Sequence, residues 1–303
     1  MKMFFTVLLC TLLLSSCKDD DVTPTPDTID VVGLTYSTST KDFKTTDATI
    51  IKALESAGPI RIVTQVNHRA NALAVDKELD STKVIIFGNP ALGTPLMQAN
   101  PLVGLDLPQK LFIWKDAKDS TRVGFNNVSY LKSRHGLQGV DALNTIHTAL
   151  TNFVNTVGNG SFIPNNADSI SKGEGIITKT STQNFDETYV TLVTAIKGNK
   201  NLKLIAEVDH QANAASVDLE LTPIRLIIFG NPNLGTPLMQ NAQTTGIDLP
   251  QKFLVWEDTD GKVMVSYNDP SFLKDRHKIT NNDEVLQTIT GALNQLSDIA
   301  TGN

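Results

Sequence analysis

Apolar positions along the chain come in short bursts, and the pattern of bursts is written twice. Val84–Phe87 is followed by Gly88-Asn89-Pro90, and Leu226–Phe229 by Gly230-Asn231-Pro232. A run of consecutive apolar residues rich in β-branching and closed by Gly-Asn-Pro predicts a buried strand ending in a turn. Behind it, Gly93-Thr94-Pro95 and Gly235-Thr236-Pro237 predict a break, an N-cap and an N1 proline for a short helix through Leu-Met-Gln, ending at Gln98 and Gln240. Between Lys83–Gln98 and Arg225–Gln240, 13 of 16 positions are identical.

The other bursts repeat in the same order. A first strand (31–37; 175–180) leads to an amphipathic helix carrying Ile50, Ile51 and Leu54, matched by Leu192, Val193 and Ile196. A second strand (60–66; 202–208) is followed by a turn containing His68 or His210 and a helix predicted over 71–79 and 213–221. After Leu107-Pro108-Gln109 and Leu249-Pro250-Gln251 come two strands that pair as a hairpin, turning at Lys118-Asp119 and at Asp260-Gly261. Leu143, Ile146, Leu150, Phe153 and Val157 recur at helical spacing in a closing helix, as do Leu286, Ile289, Leu293 and Leu296.

His68 and His210, Asp106 and Asp248, and His135 and His277 are each 142 positions apart, so this is a tandem domain repeat and not a solenoid. The expected organisation is a first repeat domain at 31–157, an Asn/Gly/Ser-rich linker at 158–174 and a second repeat domain at 175–303. Each repeat is long enough for its own core. Hairpins mixed with helices, without strict alternation, predict an α+β class: two copies of a two-layer domain with a mainly antiparallel sheet and helices packed on it.

His-x-x-Ala/Asn (with Asn213 in the second copy), Phe-Gly-Asn-Pro, Leu-Met, Asp-Leu-Pro and the acidic residue after the fourth strand resemble the domain of unknown function 302 family, twice over. The resemblance implies a compact two-layer α+β domain, often paired as a dimer, with no settled activity. Such pairing implies an intrachain pseudo-dimer of the two repeats. The second copy follows the pattern at Trp256-Glu257-Asp258, Gly261 and Tyr267, where the first has Trp114-Lys115-Asp116, Asp119 and Phe125. Any site at these strands is therefore expected to be stronger in the second copy.

Residues 1–16 combine Lys2, the apolar run Phe4–Leu14 and small residues before Cys17, the layout of a signal peptide too short to be a spanning helix. Leu14-Ser15-Ser16-Cys17 resembles a bacterial lipobox, which implies cleavage before Cys17 and acyl chains of the palmitate type on it. Two or more chains, at about 0.8 kcal/mol per buried methylene, would anchor the protein to membrane lipid. Lys18-Asp19-Asp20-Asp21 resembles the export signal of some Bacteroidetes lipoproteins, implying the outer membrane and its cell-surface face; read plainly, it is a solvated charge run in a tether over 17–30.

Cys10 and Cys17 are the two cysteines of the sequence, so a mature lipoprotein keeps no free thiol for disulfides, Cys-bound zinc or thiol catalysis. The net charge of −6, with no basic cluster, argues against nucleic-acid binding.

Gly88–Gly93 and Gly230–Gly235 have the spacing of a phosphate loop, but Thr94 and Thr236 stand where that motif needs Lys. The turn with Asn89 or Asn231 could still offer backbone donors to an anion, or simply build the turn. His68 and His210 sit where an imidazole can act as acid, base or ligand, or merely bond a neighbouring backbone group. Asp106 and Asp248 precede Leu-Pro and either order that turn or orient the His. No Ser or Cys elbow supplies a nucleophile, and no His spacing suits a metal. Neither a catalytic set, a metal nor a cofactor is expected.

The favoured expectation is a membrane-anchored, non-catalytic module that binds a small polar or anionic ligand or a partner. Its site would draw on His210, Asn213, Gly230, Asn231, Gly235, Gln240, Asp248 and Tyr267, with His68, Asn89, Gly93, Gln98 and Asp106 as the first-copy counterparts. The alternative is an enzyme that uses His210 with a nearby carboxylate.

Overall fold

The structure, a computed structural model, describes residues 29–303; the expected signal segment, Cys17 and nearly all of the tether lie outside the described residues. In the first repeat, β1 (Leu34–Thr38), β2 (Arg61–Asn67), β3 (Thr82–Gly88), β4 (Gln109–Lys115) and β5 (Thr121–Asn126) are interleaved with α1 (Phe43–Glu55), α2 (His68–Leu73), α3 (Pro90–Ala99), α4 (Val128–His135) and α5 (Ala142–Asn155). A two-residue strand, β6 (Ile163–Pro164), lies in the connection. The second repeat has β7 (Ile176–Thr180), β8 (Lys203–Asp209), β9 (Ile224–Gly230), β10 (Gln251–Glu257) and β11 (Val263–Asn268), with α6 (Phe185–Gly198), α7 (His210–Ala215), α8 (Pro232–Asn241), α9 (Pro270–His277) and α10 (Asp283–Thr301).

The strand orders are β2-β3-β4-β5-β1-β6 and β7-β11-β10-β9-β8, with every pairing antiparallel. This is the expected α+β class. The connection adds a strand of its own, since Tyr36 pairs with Ile163 and Thr35 with Pro164.

Pleating explains why the central strands read as unbroken apolar runs. In the second repeat, Ile227, Phe229, Phe253, Val255, Val265 and Tyr267 point to one face, where they pack on Leu192 and Ile196 of α6 and on Leu286, Ile289 and Leu293 of α10. Leu226, Ile228 and Leu254 alternate with them and are equally buried. Their face lies against the first repeat, so both sides of the sheet are covered. Residues 31–303 accordingly pack as one body.

At that contact the chain needs glycine. A Cβ on Gly104 would stand 2.8 Å from Leu254 Cδ1 of the other repeat, and one on Gly246 would stand 2.7 Å from Phe112 Cε2. Both glycines belong to short 3₁₀ turns, Pro101–Leu105 and Gln243–Ile247, that each repeat presses onto its neighbour's sheet.

Three helical details differ from the sequence pattern. α2 and α7 begin at His68 and His210 and not at Asn71 and Asn213, because Asn67 Oδ1 and Asp209 Oδ1 cap them by accepting from Ala70 N (2.9 Å) and Ala212 N (2.8 Å). α3 and α8 begin at Pro90 and Pro232, capped by Asn89 and Asn231, so that Gly93-Thr94-Pro95 and Gly235-Thr236-Pro237 lie inside the helices. α4 and α9 are absent from the expected pattern, since Lys132-Ser133-Arg134-His135 and Lys274-Asp275-Arg276-His277 carry no apolar period.

Candidate functional site

Strand β2 meets β8 where the repeats join, and α2 and α7 leave those strands toward the opposite repeat, each against the neighbour's α8 or α3. This exchange sets the site. A first cavity of about 140 Å³ is formed by Phe87, Gly88–Pro90, Gly93, Thr94, Met97 and Gln109 with α5, and is closed by His210 and Asn213 of the second repeat. A second, of about 430 Å³, is formed by Phe229–Pro232, Gly235, Thr236, Met239 and Gln251 with α10, and is closed by His68 and Asn71 of the first.

The expected site residues therefore divide differently from the expectation. His210 and Asn213 meet Asn89 and Gly93, not Asn231; Gly230, Asn231 and Gly235 meet His68. A cleft uniting His210, Asn231 and Asp248 inside the second repeat, which would favour the enzyme alternative, does not form, because α7 carries His210 across to the first repeat. Tyr267 also lies elsewhere. It packs on Phe253, and its hydroxyl donates to Asn294 Oδ1 (2.6 Å) between sheet and α10.

Gln98 and Gln240 join the repeats instead of facing a ligand: their Nε2 atoms donate to Glu220 O (2.7 Å) and Glu78 O (2.6 Å). The backbone donors that this turn could offer an anion are spent locally. Asn233 N donates to Asn231 Oδ1 at 2.9 Å and Gly235 N to Asn231 O at 2.9 Å, with the same pattern at Ala91 and Gly93.

Both cavity walls are mainly apolar, with a few buried polar atoms. Thr94 Oγ1, Gln109 Nε2 and His210 Nε2 in the first, and Thr236 Oγ1 and Gln251 Nε2 in the second, find no hydrogen-bond partner among the described residues. His68 differs from His210 in that its Nε2 donates to Gly246 O at 3.0 Å. Burial pushes both imidazoles down to about 4, against a small opposing pull from the Gly246 carbonyl on His68 and from Asp209 on His210. Both are neutral at neutral pH.

Asp106 and Asp248 occupy a separate, fully buried charged cluster between the repeats. Arg134 Nη1 and His135 Nε2 donate to Asp106 Oδ2 at 2.9 and 2.7 Å, while Arg134 Nη2 crosses to Asn268 Oδ1 at 2.9 Å. The mirror set is Arg276 Nη1 and His277 Nε2 to Asp248 Oδ2 at 2.7 and 2.8 Å, and Arg276 Nη2 to Asn126 Oδ1 at 2.8 Å. Arg134 lies 4.4 Å over the ring of Phe272 and Arg276 4.1 Å over that of Tyr130, again across the join.

Lys110 Nζ stands 3.6 Å from Asp248 Oδ1 of the other repeat, and Lys252 Nζ donates to Asp248 O at 3.1 Å. Burial opposes ionisation of both carboxyls, yet the arginines, the His hydrogen bonds and Lys110 hold them well below the usual carboxylate range. Burial and the neighbouring Lys110 push Lys252 down to about 7. His135 and His277 are held below their ordinary value by burial, so each donates from a neutral ring.

Sequence reasoning passed over Arg134, Arg276, Lys110 and Lys252. The signal is the recurrence of Arg-His and Pro-Gln-Lys at the same offset as the candidate residues Asp106 and Asp248. No group of three or more His, Cys, Asp or Glu among the described residues could hold a metal ion.

A family model described as "Domain of unknown function DUF302" matches residues 35–157 and again 177–296. Two proteins named "Fluoride-specific ion channel FluC 1", from Brucella suis and Brucella abortus, are each 37% identical over 130 residues, 43% of this chain and 51% and 48% of theirs. The chain thus spans about half the length of the curated relatives it matches. The crystal structure of an uncharacterized conserved DUF302 protein from Bacillus stearothermophilus aligns with 17% identity and a TM-score of 0.38, covering 42% of this chain and 98% of that one.

Proposed function

Because the chain belongs, in each of its two repeats, to the family described as Domain of unknown function DUF302, we propose that it is a non-catalytic binding module whose two repeats jointly enclose small-molecule sites. One observation carries this reading: the same cavity is built twice, and each copy is closed by a His and an Asn from the opposite repeat. Concave, largely apolar cavities with a few convergent polar groups are the usual form of a ligand site. The enzyme reading needs a carboxylate beside His210. Among the described residues neither wall carries an Asp, Glu, Ser or Cys; Asp209, next to His210, caps α7 and pairs with Arg225, and Asp248 is committed to Arg276 and His277.

In this proposal the ligand has an apolar body, and the intrachain pseudo-dimer exists to close the cavities. The lipobox-like Leu14-Ser15-Ser16-Cys17 and the acidic run supply an outer-membrane anchor and surface display. The fluoride-channel activity named for the Brucella proteins belongs to chains of which this one matches about half, and it forms no part of the proposal. No helix among the described residues is long and apolar enough to cross a membrane.

A thermal-shift screen of the mature protein against a metabolite library tests the binding reading, since a ligand at 100 times its Kd adds about 2.7 kcal/mol of stability. Apolar compounds with one polar group are expected to raise the melting temperature. A screen in which no such compound shifts it would overturn the reading. The anchor is tested separately: Cys17→Ala should move the protein out of the membrane fraction, and unchanged membrane association would refute it.

A further inference from the structure

Resting on the reading of the cavities as ligand sites, we infer that each one selects an uncharged ligand with a carbonyl-type oxygen, received by the Gln109 side-chain amide and the Thr94 hydroxyl in the first cavity and by Gln251 and Thr236 in the second. Buried polar atoms are almost always hydrogen-bonded, and an orphan left in an apolar wall is costly. Of the twelve such side-chain atoms among the described residues, five line one of the two cavities. The amide nitrogens of Gln109 and Gln251 and the hydroxyls of Thr94 and Thr236 are all without partners, and all four side chains line a cavity. They recur at matching positions of the two repeats, so the arrangement is a property of the unit.

Their chemistry defines the complement. An amide N–H can only donate, and a hydroxyl can donate as well, so the missing group is an acceptor oxygen. A full negative charge fits poorly. Each wall carries one charged side chain and it is exposed: Arg61 on the first, whose Nη1 donates to Gly58 O (2.8 Å) and Ile60 O (2.9 Å), and Lys203 on the second. The helix-start amides are capped internally by Asn89 and Asn231. An ionised carboxylate placed beside Gln109 would lose its water without gaining a cation.

The two cavities then differ in what they admit. The first, at about 140 Å³, is close to the roughly 150 Å³ of a cavity that holds benzene. It also has a third free group, His210 Nε2. The second is about three times larger, and its histidine is tied to Gly246 O at 3.0 Å, so it takes a longer molecule with two anchoring groups instead of three.

Titration calorimetry of the full chain at pH 7 with toluene, benzamide and benzoate tests this. Benzamide is expected to bind the first cavity at least tenfold more tightly than either of the others. Gln109→Leu should erase that preference while leaving toluene affinity unchanged and without lowering the melting temperature, and Gln251→Leu should leave it intact. If Gln109→Leu does not fold, Thr94→Val, which keeps the side chain's shape, should reduce the preference. Equal binding of toluene and benzamide, or a parallel loss of both in Gln109→Leu, would overturn the head-group assignment while sparing the cavity reading. Tighter binding of benzoate would overturn the requirement for an uncharged ligand. Failure of all three compounds to bind would bring down the cavity reading itself.

Discussion

Replacing Arg134 by Ala strands a buried carboxylate, and the structure sets the scale of the damage. The Arg134 and Asp106 side chains are both 0% exposed and are joined at 2.9 Å. Arg134 is first among the groups that keep Asp106 charged against the cost of burial. It also holds the second repeat through Asn268 Oδ1 and Gly175 O. Removing one partner of such a pair typically costs about 3–5 kcal/mol, most of it the penalty on the charge left behind. At about 2–4 °C per kcal/mol for a body of this size, the melting temperature should fall by roughly 6–20 °C.

Urea unfolding followed by circular dichroism measures this loss, with Lys274→Ala as the control. The Lys274–Asp283 pair is exposed on both sides, and its loss should leave the transition unmoved. The double variant Arg134→Met/Asp106→Leu should recover at least half of the stability lost in Arg134→Ala, because no uncompensated charge remains. A loss below about 1 kcal/mol in Arg134→Ala, or a double variant worse than the sum of the single ones, would refute the reasoning.

Stability should also depend on pH through the buried bases. The folded pKa of Lys252, about 7, lies below its ordinary 10.5, so the unfolded chain binds more protons in between and stability rises with pH from about 7 toward 10. Lys252→Met should flatten that slope; an unchanged slope in chemical denaturation would contradict the assignment. His68 and His210, at about 4 against 6.5, likewise withdraw up to about 3 kcal/mol each as pH falls from 6.5 to about 4, and His210→Gln should reduce the acid sensitivity measured in the same way. Gly246→Ala should cost about 1–3 kcal/mol by driving a methyl into Phe112, whereas Gly261→Ala, at an open turn with a φ of 77°, should act only through local backbone strain; equal scattering profiles and melting temperatures for Gly246→Ala and the parent would refute the tight join.

The repeat and its sheets were legible because Val84–Phe87 and Leu226–Phe229 are apolar at every position, and Leu143 to Phe153 keep a helical period. The start of α3 was misplaced because two Asx/Thr-Pro signals compete within six residues. Asn89-Pro90 prevails since it stands directly at the end of β3, leaving Pro95 within a helix already begun. Helices α4 and α9 were invisible to periodicity because they bury Arg134, His135, Arg276 and His277, charged and polar groups whose burial depends on partners elsewhere in the chain.

The site was half legible for a related reason. His68, His210, Asn89 and Asn231 are at cavities, but their pairing depends on which repeat α2 and α7 pack against, and within one copy the linear order of His210 and Asn231 suggests a neighbourhood that the fold does not make. Tyr267 looked like a site group because Phe125 replaces it in the first copy; its hydroxyl instead answers Asn294 in the core.

The central claim is that each site belongs to both repeats at once, and the stoichiometry of a bound ligand in two cavity-blocking variants tests it most directly. Using benzamide as the probe for the first cavity and octanamide for the second, Asn213→Trp, a change in the second repeat, should abolish benzamide binding and leave octanamide bound at one per chain, while Asn71→Trp, in the first repeat, should do the reverse. Loss of octanamide binding in Asn213→Trp with benzamide retained would mean that each repeat closes its own site, and would contradict the account.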